Sequence, residues 1–484
     1  MMIASGAEYH RHTGYDRNSL GGPRFLDWTN QPNTYKEYPG LKTTAISRDI
    51  SHDAMLSRII GEKYLEQSSA DFSFEHLCSI LGLTYTLTGK THHSGGGVFF
   101  HRSVPSAGGL YPCELYMASR SVPGLESGLY HYAMGQHVLE EIRTGNFNEK
   151  GYVLTFFITV IFFRSAWKYR DRAYRYHLLD SGHLIENLVL TLKSLNLPFE
   201  SDYDFDDERV NHLLGLDPEK EVCLAVVRVP GSDSDSGAET AEKLPERFYK
   251  ASKMAFGESS YPAVEEIHRN TARGIISRET VPDMLSQTGI LPHSWIKIPS
   301  PDMFPEKMNY SQAIQKRRSL RNFVKTPLPK IQFEALIAFL CADDLTDDTL
   351  CTGFLSGNVE GLEPGCYWLN RSESSAGQTQ TGILTDNMAH ICLNQEWLSQ
   401  AALLFFFVTN LKYLEQTFGT RGYRHAMLTA GRLGQRLYLA ATVLELGCCG
   451  IGAFYDKEAG GLLELNEDSE MLYLVAAGPV KKFD

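Results

Sequence analysis

At 484 residues, with 43% hydrophobic residues and a formal net charge of -12, the chain is too long for one ordinary core and carries no excess of cations to hold nucleic acid. A sequence pI near 5.8, without any clustered Lys/Arg tract, excludes a nucleic-acid surface on the same ground. The nine cysteines are odd in number and lack a Cys-x-x-Cys pair, which reads as reduced thiols in a cytoplasmic protein.

In chain order, residues 1–12, MMIASGAEYHRH, hold no apolar signal core, so secretion is not expected. The first unit is expected to open with a helix, and the loop PSAGGLYP at 105–112 precedes the strand CELYMAS. The most hydrophobic run, Tyr152 to Phe163, falls short of the roughly 20 residues that span a bilayer. Like Leu403 to Thr409, it reads as a buried central strand rich in Phe, Ile and Val. A long amphipathic helix follows, and the strand VCLAVVRVP ends the first unit at residue 230. The small, acidic stretch 231–243 opens a connector that runs to about residue 308, with weakly amphipathic stretches at Ala263 to Ile276 and Val281 to Gly289. The second unit, 309–484, repeats the order helix, apolar strand, long helix, short strand, which predicts an α+β fold.

The repetition is explicit. Residues 172–189, RAYRYHLLDSGHLIENLV, align without a gap to residues 421–438, RGYRHAMLTAGRLGQRLY, at an offset of 249. The same offset pairs Phe205-Asp206-Asp207 with Phe454-Tyr455-Asp456, and at other offsets VPGLESGLY at 122–130 pairs with VEGLEPGCY at 359–367 and Phe74-Glu75 with Phe333-Glu334. The chain therefore reads as two copies of one domain, 1–230 and 309–484, around the connector 231–308.

Four motifs carry chemistry. RRSLRNF at 317–323 can hold a phosphate through guanidinium forks and a hydroxyl, although alone it also fits a solvated helix face. PSAGGLYP at 105–112 is an irregular loop whose amides can approach a ring closely. GCCGIGAFYD at 447–456 reads as a glycine-rich turn after a long helix, or as a helix C-cap followed by a strand. Lys481-Lys482 can neutralise a phosphate.

Together these motifs resemble the nitroreductase superfamily of FMN-dependent enzymes, and within it the SagB-type azoline dehydrogenases of thiazole/oxazole-modified peptide biosynthesis. The resemblance covers both units and implies two nitroreductase-like domains, each a central sheet flanked by helices, folded as an intramolecular pseudo-dimer with FMN as cofactor. It implies that Arg317, Arg318, Ser319 and Arg321 contact the phosphate and ribityl chain, with Lys481 or Lys482 facing the phosphate. Gly452 and Ala453 would give amides beside flavin N5, and Pro105, Ser106, Ala107, Gly108 and Gly109 would come from the other copy. The segment 8–20 resembles the N-terminal His-x-x-Thr stretch of the same proteins, without a physical role to assign.

The copies differ in what they keep. At the Phe74/Phe333 offset, RRSLR falls on Arg58-Ile59-Ile60-Gly61-Glu62, which has no Ser and less positive charge. At the Gly-Leu-Tyr offset, PSAGGLYP falls on residues 342–349, where four aspartates would repel a phosphate. One composite FMN site per chain is expected. Lys168-Tyr169 matches a pair implicated in catalysis in the azoline dehydrogenases, while the second copy has Thr417-Phe418. Tyr169 is the candidate base and Lys168 its tuner, since an ammonium beside a phenol favours its ionisation. The leading expectation is a dehydrogenase of a peptide-derived or small heterocyclic substrate. A nitro or quinone reductase using NAD(P)H, and a non-catalytic scaffold, are the alternatives. His177, His183 and Glu186 have helical spacing without a third ligand to match, so they read as helix polar contacts rather than a metal site. His92-His93 before Ser-Gly-Gly-Gly suggests a loop near the substrate mouth.

Overall fold

Two runs of β-branched and aromatic residues, Tyr152–Ile161 and Leu403–Asn410, form the centres of two seven-stranded sheets. The computed structural model describes residues 3–19, 25–48, 50, 52–61, 72–92, 97–231, 237–272, 283–342 and 348–481. Across the first sheet the strands run Thr43–Ala45, Val138–Thr144, Gly128–Ala133, Cys113–Ser119, Tyr152–Ile161, Glu221–Pro230 and Glu200–Asp202. Across the second they run His293–Lys297, Ser375–Thr381, Gly365–Asn370, Cys351–Ser356, Leu403–Asn410, Ser469–Gly478 and Gly447–Ile451. Every pairing is antiparallel, and the two orders correspond strand for strand. The chain is a duplicated α+β fold.

Helices match in the same way. Phe162–Tyr169 and Ala173–Ser194 in the first copy correspond to Leu411–Phe418 and Gly422–Val443 in the second, at the offset of 249 read from the sequence. Both long helices are buried along almost their whole length, which their mixed composition does not announce. His177 shows why: instead of the polar contacts expected of it, its ring sits beside Phe162 and Tyr174, and burial pushes its pKa down to about 3. His183 and Glu186 are buried too.

The chain divides into two compact units, and each draws on distant segments. Phe25–His52 and Lys63–His268 form what is called here the N-terminal unit; Met1–Arg24, Asp53–Glu62 and Arg269–Asp484 form the C-terminal unit. The expected connector 231–308 is thus shared out. Within it, Ser252 joins a buried network of the N-terminal unit in which Lys36 Nζ bonds Glu221, the Tyr116 hydroxyl at 2.7 Å and the Ser252 hydroxyl at 3.2 Å.

The connector also holds an unrecognised repeat. Glu266-Ile267-His268-Arg269-Asn270-Thr271, in the helix Pro262–Thr271, echoes Glu8-Tyr9-His10-Arg11-His12-Thr13 in and just after the helix Gly6–His12. In the N-terminal unit, His268 Nδ1 is 3.2 Å from the Tyr174 hydroxyl and Nε2 is 3.6 Å from Asp207 Oδ1. In the C-terminal unit, His10 Nδ1 is 3.1 Å from the Tyr423 hydroxyl and Nε2 is 3.5 Å from Asp456 Oδ1. Tyr174 and Tyr423, and Asp207 and Asp456, are repeat partners. Each copy's leading helix is therefore seated in the unit built mainly by the other copy. This gives the His-x-x-Thr stretch its physical role.

Candidate functional site

In the N-terminal unit the loop 105–112 is fixed from below by the helix Ala173–Ser194. Buried Asp180 accepts the Ser106 hydroxyl at 2.6 Å and the Ala107 N–H at 3.3 Å, and Ser106 Oγ accepts the Tyr111 N–H at 2.9 Å. Gly108 and Gly109 have φ of 66° and 68°, a left-handed conformation that requires glycine here. A side chain at Gly108 would come within 2.6 Å of Tyr169 Oη and 3.0 Å of Lys168 Nζ, so the loop and the Lys-Tyr pair form one cluster. Tyr169 packs on Tyr176 with ring centroids 4.3 Å apart, and Lys168 Nζ lies 5.4 Å from the Tyr169 ring centroid.

Directly after that pair the chain is strained. Arg170 has φ 50° and ψ -132°, whereas its repeat partner Gly419 has φ 65° and ψ -168°. Left-handed extended backbone of this kind costs a non-glycine residue about 1–3 kcal/mol. Arg170→Gly should raise the urea midpoint, with a net gain of about 1 kcal/mol after the extra freedom of the unfolded chain is subtracted. A lower midpoint would show that the arginine side chain, not the backbone, governs the position.

Asp180 was missed in the sequence reading. Burial raises its pKa to about 7, against the opposing Ser106 and Ala107 hydrogen bonds. Between pH about 4 and 7 the native state keeps a proton that the unfolded chain has lost, so this carboxyl's contribution is present at low pH and is lost as pH rises through 7, at up to about 1.4 kcal/mol per pH unit. Asp180→Asn should flatten that slope in urea titrations across the window; an unchanged slope would assign it elsewhere. One signal was available: the repeat position is Thr429, so only one copy places a carboxylate in the middle of this helix.

In the C-terminal unit the segment 317–323 is extended rather than helical. It leaves the helix Tyr310–Lys316 at Arg317, the Leu320 N–H donates to the Cys448 carbonyl at 2.9 Å, and Phe323 bridges Val480. Gly447–Ile451, expected as a turn, is a strand paired with Ser469–Gly478, and Gly452 and Ala453 follow it directly. The C-terminal end comes alongside, with the Lys481 N–H on the Asn322 carbonyl at 3.1 Å and the Asn322 amide on the Lys481 carbonyl at 2.9 Å. Lys482 lies outside the described residues. Arg317 is buried with its guanidinium 5.4 Å from the Tyr438 ring centroid, Arg318 is half-buried, and Ser319 and Arg321 are exposed. Arg321 stacks over Trp397 at 5.5 Å. The cluster thus gathers Arg317, Ser319, Arg321 and Lys481 beside one edge strand.

Tyr438 is the second missed residue. Its hydroxyl is 2.9 Å from Ser319 Oγ and accepts the Gly450 N–H at 2.8 Å, tying the Arg-Ser segment to the strand; its repeat partner is Val189. The two equivalent long helices have therefore specialised, one through Asp180 for the Pro-Ser loop and one through Tyr438 for the Arg-Ser segment.

The proposed equivalence of RRSLR with residues 58–62 does not hold structurally. Leu56–Gly61 is a helix like Tyr310–Lys316, whereas 317–323 is extended; in sequence, Arg317-Arg318-Ser319-Leu320-Arg321 follows the second helix and Glu62-Lys63-Tyr64-Leu65-Glu66 the first. That stretch also lacks the Arg-Arg-Ser pattern, and it lies outside the described residues, as do His93 and residues 343–347 of the aspartate loop. All nine cysteines are buried and none is in a disulfide. Among the described residues no helix is long and apolar enough to cross a membrane.

A duplicated sheet-and-helix domain with a Pro-Ser loop and an Arg-Ser segment defines a class, and the comparisons name it. The chain belongs to the nitroreductase family, whose model matches residues 73–231 and 366–479. It is similar to the crystal structure of a nitroreductase-like protein from Anabaena variabilis, 28% identical with a TM-score of 0.79 over 99% of this chain and 100% of the other. Among curated relatives, the trifolitoxin-processing protein TfxB of Rhizobium leguminosarum bv. trifolii is 28% identical over 31% of this chain and 44% of its own length. The microcin B17-processing protein McbC of Escherichia coli is 27% identical over 28% of this chain and 55% of its own length. The matched region thus spans about half of each of these two relatives.

Proposed function

We propose that this protein is an FMN-dependent dehydrogenase that oxidises a peptide-derived or small heterocyclic, azoline-like substrate in the cytoplasm. The observation that carries the reading is the approach of Tyr169 Oη and Lys168 Nζ to Gly108 in the Pro-Ser loop. The processing roles in the names of TfxB and McbC favour a peptide-derived substrate.

The donor set fits a phosphate-bearing ring cofactor. Arg317, Arg318, Arg321 and Lys481 supply positive charge and Ser319 a hydroxyl for the phosphate and ribityl side, with Lys482 beyond them in sequence. Gly452 and Ala453 offer amides, and Pro105, Ser106, Ala107, Gly108 and Gly109 of the other copy would cover the ring. Because the clamp residues belong to one copy and the loop to the other, one FMN per chain in an intramolecular pseudo-dimer is the expected stoichiometry. When bound, the flavin would accept a hydride from substrate carbon at N5. Tyr169, as the phenolate that the Lys168 ammonium favours, would take the proton released from the neighbouring atom and become a neutral phenol.

The full-length match to a nitroreductase-like protein favours one second reading, a reductase of nitro or quinone compounds that needs no dedicated base. Tyr169→Phe separates the two. A dehydrogenase should lose about 10²–10⁴-fold in kcat on azoline peptides while retaining its flavin; a reductase assayed with NAD(P)H and a quinone should keep its rate. Loss of flavin from Tyr169→Phe would instead give the tyrosine a binding role.

A further inference from the structure

The two seated histidines have matching surroundings apart from one position. Val160 pairs with Val222 and Thr409 with Glu470, and Val160 and Thr409 are repeat partners, so Glu470 stands where the other copy has a buried valine. His10 Nε2 is 3.5 Å from Asp456 Oδ1 and 4.0 Å from Glu470 Oε2, and the three ligand atoms lie within 4.8 Å of one another. Both distances exceed an ordinary hydrogen bond of about 2.7–3.2 Å. They are close to the separation of about 3.3 Å between donors that each bind one zinc ion at about 2.0–2.2 Å.

The surrounding bonds aim the donors. The Tyr423 hydroxyl holds His10 Nδ1 at 3.1 Å, which turns Nε2 toward the carboxylates, as an outer partner does for a metal-bound imidazole. Asp456 Oδ2 accepts the Tyr15 N–H at 2.7 Å, which leaves Oδ1 toward His10. The His10 and Asp456 side chains are 1% and 6% exposed, so bulk water scarcely reaches these two donors. Glu470, at 18%, gives an ion a way in from solvent.

We propose that His10, Asp456 and Glu470 bind one divalent cation of the zinc class, which fastens the first helix of the chain into the C-terminal unit. Three protein donors, two of them carboxylates, leave the fourth tetrahedral position to water. The His268–Asp207 seat in the other unit, with Val222 in place of the third donor, binds no ion and serves as an internal control.

The test uses the untagged full-length protein, stripped with a chelator and titrated with zinc chloride in a calorimeter at neutral pH. Wild-type protein and His268→Ala should each take up one zinc per chain. Glu470→Val, which installs the residue that the fold already carries in the other copy, and Glu470→Gln, which keeps the size, should bind at least about 10-fold more weakly. At equal zinc, the rise in melting temperature should be clearly smaller for Glu470→Val than for the wild type. No binding by the wild type, or the same isotherm in both Glu470 variants, overturns the site.

Discussion

Purified Arg317→Ala, Ser319→Ala protein should come off the column almost without flavin, while the wild type carries about one per chain by absorbance. Each charge-assisted hydrogen bond to a phosphate contributes about 1.5–3 kcal/mol, so losing a guanidinium and a hydroxyl together should weaken binding by at least about 100-fold. The fold should survive. Tyr438, which contacts Ser319 Oγ at 2.9 Å, keeps its other bond from the Gly450 N–H at 2.8 Å, and the Leu320–Cys448 backbone bond does not depend on either side chain. An unchanged urea midpoint would confirm that flavin, rather than structure, was lost. Arg58→Ala is the matched control, because Arg58 sits in the helix Leu56–Gly61 and not in the extended clamp; it should leave the flavin in place. A double variant that keeps its flavin would remove the Arg-Ser segment from the site, and two flavins per wild-type chain would show that the first copy binds as well.

Lys36→Met should be among the most damaging single substitutions in the N-terminal unit. Lys36 and Glu221 are both fully buried, and Glu221 also accepts the Thr159 hydroxyl at 2.7 Å and the Ser252 hydroxyl at 2.7 Å. Burial alone would raise the Glu221 pKa, yet the Lys36 charge beside it holds it below the ordinary value. Without that ammonium the carboxylate is stranded, at a cost of about 3–5 kcal/mol. The variant should regain stability as pH falls and Glu221 takes up a proton, the opposite of a carboxylate that stays paired. Adding Glu221→Leu should recover much of the loss at neutral pH. Urea unfolding of the three proteins decides the matter: a double variant no more stable than Lys36→Met would mean that the hydroxyls and packing, not the charge, set the cost.

Much of the architecture could be read in the sequence because the two copies comment on each other. The offset of 249 located the two long helices, and the apolar runs Tyr152 to Phe163 and Leu403 to Thr409 located the central strands, the first of which ends at Ile161 because Phe162 already starts a helix. Local chemistry misled where pairing decided the outcome. Gly447–Ile451 reads first as a turn by composition, yet its ladder to Ser469–Gly478 decides for the alternative, a strand after the helix end. RRSLRNF has helix-forming residues, but Phe323 and Leu320 are drawn into backbone contacts with Val480 and Cys448. Asp180 and Tyr438 escaped notice because Ser106 lies 74 residues from Asp180 and Ser319 lies 119 residues from Tyr438. The Glu-x-His-Arg-x-Thr repeat was present as letters, but its offset of 258 sets it apart from the helix repeat, and its second copy is in a stretch that composition marks as linker.

The seating of each leading helix in the unit built mainly by the other copy decides what duplication is free to discard. Residues that touch only a ligand can drift in one copy once the other retains them, and RRSLR and PSAGG each occur in one copy only. Tyr174, Asp207, Tyr423 and Asp456 have no such freedom, since each pair receives a histidine from the opposite half of the gene. A gene split anywhere in 231–236 would give two products, each with a helix lacking its seat and a seat lacking its helix. Both histidine seats are therefore filled only when the two halves are present together.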